Sequence, residues 1–120
     1  MKKSNYKTGH FAEKVALAFL MLKGYYPVAM NYVTGRGTGA SEIDLIVKKN
    51  HTLIFVEVKK RQNLMTSAEA ITAKAQSRLA RAAEAFVRKN PKYNDYQIRF
   101  DAILFGNNFW PHHIKDAWRL

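Results

Sequence analysis

Apolar residues at Phe11, Val15, Ala18, Phe19 and Leu22 recur at steps of three and four. That spacing predicts an amphipathic helix over residues 8–23, with these five on its buried face. Thr8 suits the N-cap, and Gly24 suits the position just past the helix end. The first six residues are polar and are expected to be loose. Residues 25–33 are rich in β-formers, and Pro27 places that strand at a sheet edge or a strand start. The segment Thr34-Gly35-Arg36-Gly37-Thr38-Gly39 reads as a loop. Two alternating strands follow, over 42–48 and 52–60. In them Ile43, Leu45 and Val47 point one way, opposed by Ile54, Val56 and Val58. The helical period then returns, with Ile71, Ala75, Leu79, Ala82, Ala83 and Phe86 on one face. Thr66 and Glu69 have capping-box spacing at its start, and Asn90-Pro91 ends it. Residues 97–105 form a last strand. The tail holds Trp110, Pro111, His112, His113 and Trp118 and carries no readable period.

The predicted order is helix, three strands, helix, strand. Short links make the three consecutive strands antiparallel, and the strand–helix–strand step allows a right-handed parallel crossover. The fold class is α/β, a small mixed sheet flanked by helices. At 120 residues the chain makes a single domain, and its 48% hydrophobic content excludes disorder.

The chain has no cysteine, which excludes a disulfide framework and thiolate metal sites and fits a cytoplasmic setting. Residues 15–22 are the longest apolar run, far short of the ~20 residues that span a bilayer. Lys2 and Lys3 precede that run, but Glu13 and Lys14 interrupt the approach to it and no small-residue cleavage site follows, so it reads as a core helix rather than a signal peptide. No membrane partner is expected. Charge changes the picture more. Twenty Lys and Arg against nine Asp and Glu leave a formal +11, which points to polyanions and to nucleic acid first.

The candidate chemistry lies in the central hairpin, Glu42-Ile43-Asp44 on one strand and Glu57-Val58-Lys59 on the next. If Asn50-His51 is a two-residue turn, Lys49 faces Thr52, Asp44 faces Glu57 and Glu42 faces Lys59. Opposed carboxylates repel. A divalent cation relieves that repulsion, and Mg²⁺ takes few carboxylates and keeps several waters. Asp44, Glu57 and the Val58 carbonyl could supply oxygen ligands, and Lys59 could orient water or stabilise phosphate charge. This set suits metal-assisted phosphodiester hydrolysis. The plain alternative is a solvated hairpin face with a cross-strand Glu42–Lys59 ion pair.

With these motifs in place, the chain resembles the YraN family of predicted endonucleases, which share the restriction-endonuclease-like fold with archaeal Holliday-junction resolvases. The resemblance runs over residues 9–118. It is carried by Glu42-Ile43-Asp44-Leu45-Ile46 and Phe55-Val56-Glu57-Val58-Lys59 with Arg61. Weaker matches are Ala12-Glu13, Ala16, Gly24-Tyr25, Asn31, Ala82-Ala83 and Arg99-Phe100-Asp101. The resemblance implies an αβββαβ core, Mg²⁺ or Mn²⁺ bound by Asp44 and Glu57, and Lys59 assisting the attacking water. Glu13 would be an auxiliary acid brought in by the first helix; from the residues alone it reads as a solvated helix position. The chain departs from the family's usual Gly-Glu at Ala12-Glu13 and Ser41-Glu42. It has Ala75 where a lysine is common, so no catalytic role passes to Lys74.

Lys60 and Arg61 are the foremost candidates for phosphate contact, with Arg36 in its glycine loop. Lys74, Arg78, Arg81 and Arg88 fall on one helical stripe. They suit either phosphates or the solvent face of an amphipathic helix. His112 and His113 are expected to be surface or packing residues, and His10 and His51 stand isolated in the sequence. Trp110 and Trp118 are expected to close the core. The function expected is a metal-dependent endonuclease acting on DNA, branched DNA included, with RNA left open and a homodimer consistent with two cuts. The alternatives are a non-catalytic nucleic-acid-binding module on the same fold, and an adaptor that binds an acidic protein.

Overall fold

The computed structural model describes residues 2–34, 42–60, 71–106 and 110–119. Helix α1 (Lys2–Leu22) leads into strands β1 (Tyr26–Val33), β2 (Glu42–Lys49) and β3 (Thr52–Lys60). Helix α2 (Ala73–Lys89) and a 3₁₀ turn (Pro91–Tyr93) precede β4 (Gln97–Phe105) and β5 (Pro111–Ile114). The strands form one sheet in the order β1-β2-β3-β4-β5. Only β3 and β4 are parallel; the other pairs are antiparallel. This is the α/β, restriction-endonuclease-like αβββαβ order, extended by one short strand. No described helix is long and apolar enough to cross a membrane.

The two helices cover opposite faces of the sheet. Ala12, Ala16 and Leu20 of α1 pack on Leu45, Val47, Ile54, Val56, Ile103 and Phe105. Leu79, Ala82, Ala83 and Phe86 of α2 pack on Ile46, Leu53, Phe55 and Ala102. Central strands buried on both sides read as near-continuous apolar runs, as β2 and β3 do. Helix α1 ends at Gly24, which takes φ +95°. Tyr25 N–H donates to the Leu20 carbonyl and Gly24 N–H to that of Met21, the paired bonds of a Schellman stop.

Five sequence expectations are corrected. Helix α1 begins at Lys2, so Thr8 lies inside it rather than capping it. Its buried stripe is Ala12, Ala16 and Leu20, while Phe11 (59%) and Leu22 (89%) are exposed, as is Ala18. Small alanines let the helix axis approach the sheet, which the bulkier residues would hold away. Helix α2 starts at Ala73, where the Thr72 hydroxyl accepts from Ala75 N–H at 3.1 Å. Ile71 is buried ahead of it, and Thr66 and Glu69 lie outside the described residues. Ile43 shares the α2-side cluster with Ile46, whereas Leu45 and Val47 face α1. The same change separates Tyr32 from Met30 on β1. The row between these residues holds Asn31, whose φ of +53° twists the strand, and Asp44. Lastly the tail forms β5. Trp118 is buried, stacked on Phe100 with centroids 5.3 Å apart, but Trp110 is 63% exposed and closes no core.

Candidate active site

The Asn50-His51 turn fixes the hairpin. Asn50 adopts φ +56°, a left-handed value that asparagine tolerates. Lys49 pairs with Thr52, and the ladder runs without a slip to Leu45 opposite Val56. Asp44 and Glu57 occupy the next row, where the backbone ladder stops. Val58 N–H donates to Asp44 Oδ2 at 2.9 Å. A side chain thus takes over from the backbone at the place where the strands part.

Three carboxylates meet at this fork. Asp44 is within hydrogen-bonding reach of both Glu57 and Glu13. Glu57 is only 5% exposed. Glu13 enters from α1, its side chain largely buried and His10 Nδ1 3.8 Å from its Oε1. Lys59 Nζ lies 3.3 Å from Glu57 Oε2. Burial pushes the Asp44 carboxyl up to about 7, with the charge of Glu13 adding to it and the Val58 N–H opposing it. Burial also pushes Glu57 up to about 7, with Asp44 adding and Lys59 opposing. Glu13 is raised by burial and by the charges of Glu42 and Glu57, against hydrogen bonds from Asp44 and Asn31.

The donor set suits a hard cation: oxygen throughout and no thiolate. Glu13 Oε1 and Asn31 Oδ1 are buried without a hydrogen-bond partner. Among the described residues no three His, Cys, Asp or Glu side chains form a ready cage. Asp44 and Glu57 are the two carboxylates that could share a hard cation with retained waters.

Of the residues singled out in the sequence, Asp44, Glu57, Lys59 and Glu13 are brought together. Glu13 is not the solvated helix residue that its sequence suggested. Lys59 pairs with Glu57 on its own strand rather than with Glu42, which is exposed and opposite Val33. Val58 is tied to the site by its N–H. Lys60 is exposed at the end of β3. Arg36 and Arg61 lie outside the described residues. Lys74, Arg81 and Arg88 are exposed along α2, with Arg78 half-buried and Arg88 3.5 Å from Glu84.

A second polar cluster escaped sequence reading. Asp101 is fully buried on β4, and the His113 side chain is 2% exposed on β5. Asp101 accepts from Arg99 Nε and Nη2 at 2.8 Å each and from Asp116 N–H at 2.9 Å. His113 Nε2 is 2.7 Å from Asp101 Oδ2, and its Nδ1 is 2.7 Å from Lys23 Nζ. The ammonium can only donate, so His113 accepts at Nδ1 and donates from Nε2. Burial alone would raise the Asp101 carboxyl, but the bonds from His113 and Arg99 outweigh it and hold it below the usual range. Lys23 and His113 are 90 positions apart, so no local pattern joins them. The Arg-x-Asp spacing on β4 was the one available signal.

Residues 12–105 match the model of the uncharacterised protein family UPF0102. The chain belongs to UPF0102. It is similar to the UPF0102 protein amb4503 of Paramagnetospirillum magneticum, 40% identical over 95% of this chain and 88% of that one. A UPF0102 protein of Methylorubrum extorquens is 38% identical over 99% of this chain and 90% of its own. One from Parvibaculum lavamentivorans is 41% identical over 95% and 83%. This family is the one that the hairpin motifs pointed to, and the match includes Glu13, Asp44, Glu57 and Lys59 within its bounds.

Proposed function

We propose that this UPF0102 protein is a divalent-metal-dependent endonuclease that hydrolyses DNA phosphodiester bonds. The observation that carries the reading is the convergence of Glu13, Asp44 and Glu57 in a desolvated fork beside Lys59. Carboxyls raised towards neutrality by burial and mutual repulsion are costly to a fold and useful to a site. Asp44 and Glu57 would hold Mg²⁺ or Mn²⁺, with Glu13 Oε1 facing its waters. Bound there, the ion would polarise the phosphate and lower the pKa of an attacking water.

The chain's own residues supply the rest. Val58 N–H fixes the Asp44 carboxylate, so one oxygen is held while the other stays available. Lys59, 3.3 Å from Glu57, steadies that carboxylate in its charged form and places a positive charge where a phosphate oxygen gains negative charge. Glu13, with its raised affinity for protons, can accept one from water. Lys60 at the strand end would meet a neighbouring phosphate, with Arg36 and Arg61 as further candidates. Lys74, Arg78 and Arg81 would extend the track along α2. A homodimer would present two such forks to the two strands of a duplex or junction.

The test is cleavage of linear, flapped and four-way DNA and of RNA, with Mg²⁺ or Mn²⁺, beside Asp44→Ala and Lys59→Ala. Metal-dependent cutting that both variants lose is the expected result. Tight binding with no cutting on any substrate would replace this reading with a non-catalytic nucleic-acid-binding module.

A further inference from the structure

At the end of the sheet away from the fork, lysines are laid over tyrosine rings. Lys48 Nζ is 5.3 Å from the Tyr26 ring centroid and 6.0 Å from that of Tyr93. Lys92 Nζ covers Tyr93 at 5.3 Å, and Lys49 Nζ covers Tyr25 at 4.8 Å. Lys49 also donates to the Lys23 carbonyl at 3.1 Å, its stem passing 3.7 Å from where a Cβ on Gly24 would stand. His51, at the turn itself, stacks on Tyr96 with centroids 4.2 Å apart. Tyr26 is 64% exposed.

Lys48, Lys49 and Lys92 form no salt bridge with a carboxylate among the described residues. Lysine side chains normally roam, and fixing one costs rotamer entropy. Here the rings hold them, so much of that cost is met before any ligand arrives. Ordered cations that lack counter-charges and alternate with aromatic rings match a nucleic-acid backbone with accessible bases. An acidic peptide would satisfy the charge but leave the exposed Tyr26 ring unused, His51 being already stacked on Tyr96 and 3.4 Å from Asp95.

We propose that this hairpin end is a second nucleic-acid contact, holding a segment of backbone away from the fork. Lys48 is four residues from Asp44 along β2, a rise of about 13 Å. That is roughly four base pairs of duplex. The inference shares with the proposed function only the class of partner; it does not need cleavage.

Fluorescence anisotropy of a labelled 30-nucleotide strand and of its duplex tests it, using the full chain without metal and carrying Asp44→Asn. Lys48→Gln with Lys49→Gln should weaken binding about tenfold and lower the log–log salt slope by about 2. Lys89→Gln with Lys115→Gln removes the same charge elsewhere and should do much less. Lys48→Arg with Lys49→Arg should bind as the parent does, and Lys92→Gln should weaken binding in its own right. Equal losses from the two glutamine pairs, or none from the hairpin pair, would overturn the proposal. So would a hairpin pair that keeps its nucleic-acid affinity but loses affinity for polyglutamate, which would assign the surface to an acidic protein. Cleavage is read in a separate protein that carries the hairpin pair with Asp44 intact; failure to cut there and in its parent bears on the fork alone, so the two readings fail separately.

Discussion

Asp44 and Asp101 sit on neighbouring regions of one sheet and meet opposite fates. Asp101 is the more deeply buried, yet its carboxyl is held below the ordinary range. Asp44 is only partly buried, yet its carboxyl is pushed up to about 7. The difference is what each one faces. Asp101 has two bonds from Arg99, one from His113 and one from a backbone N–H. Asp44 has one N–H and two carboxyls. Burial raises both carboxyls; the partners decide whether that rise is overcome. The Asp101 cluster is complete without a ligand and serves the fold. On the proposed function, a divalent cation would supply at the fork the positive charge that Asp101 draws from Arg99.

The largest test of this contrast is Asp101→Asn. It strips the counter-charge from Arg99 and should cost about 3–5 kcal/mol of stability in urea unfolding. A cost no larger than that of a surface change would mean that the cluster is ornamental. Next comes Asp44→Asn, which on the proposed function should slow cleavage by about 10²–10³-fold while the protein stays folded. Retained turnover would remove Asp44 from the chemistry.

The same variant should move stability the other way. In the unfolded chain Asp44 ionises near pH 4, but in the folded protein it stays protonated until about 7. The folded state therefore binds more protons over that interval, and its stability falls as pH rises from about 4 to 7, then levels. Asn keeps an oxygen for Val58 and has no such loss. Asp44→Asn should therefore gain about 1–2 kcal/mol over the parent at pH 8 and converge with it near pH 4. A constant offset across pH would show that the carboxyl is not strained. The smallest effect is the ion's own. At ten times its Kd, Mg²⁺ should stabilise the parent by about 1.4 kcal/mol at pH 8. Thermal melts should show no such gain in Asp44→Asn; an equal gain would place the ion elsewhere.

The hairpin register was legible in the sequence because a two-residue turn leaves one pairing for everything beyond it. The edge position of β1 was legible from Pro27. The parallel step to β4 was legible because a helix-length link intervenes. The buried face of α1 was not, because bulk was read as burial and the contact is made by Ala12 and Ala16. Glu13 suffered with it: a helix rotated by the alanines turns that residue inward. Strand β5 has four residues and no period to display. The Asp101 cluster joins Lys23, just past α1, to groups of β4, of β5 and of the segment after β5, which meet only in three dimensions.

Asn50 is six residues from Asp44 and touches nothing at the fork, yet it sets where the fork can exist. Lengthening the turn by one residue would slide β2 against β3 and reverse the face that each side chain presents. Asp44 and Glu57 would then no longer share a row, though every chemical group would still be present. Reach across the site is thus governed from the far tip, much as the pivot of a pair of tongs governs whether its jaws meet.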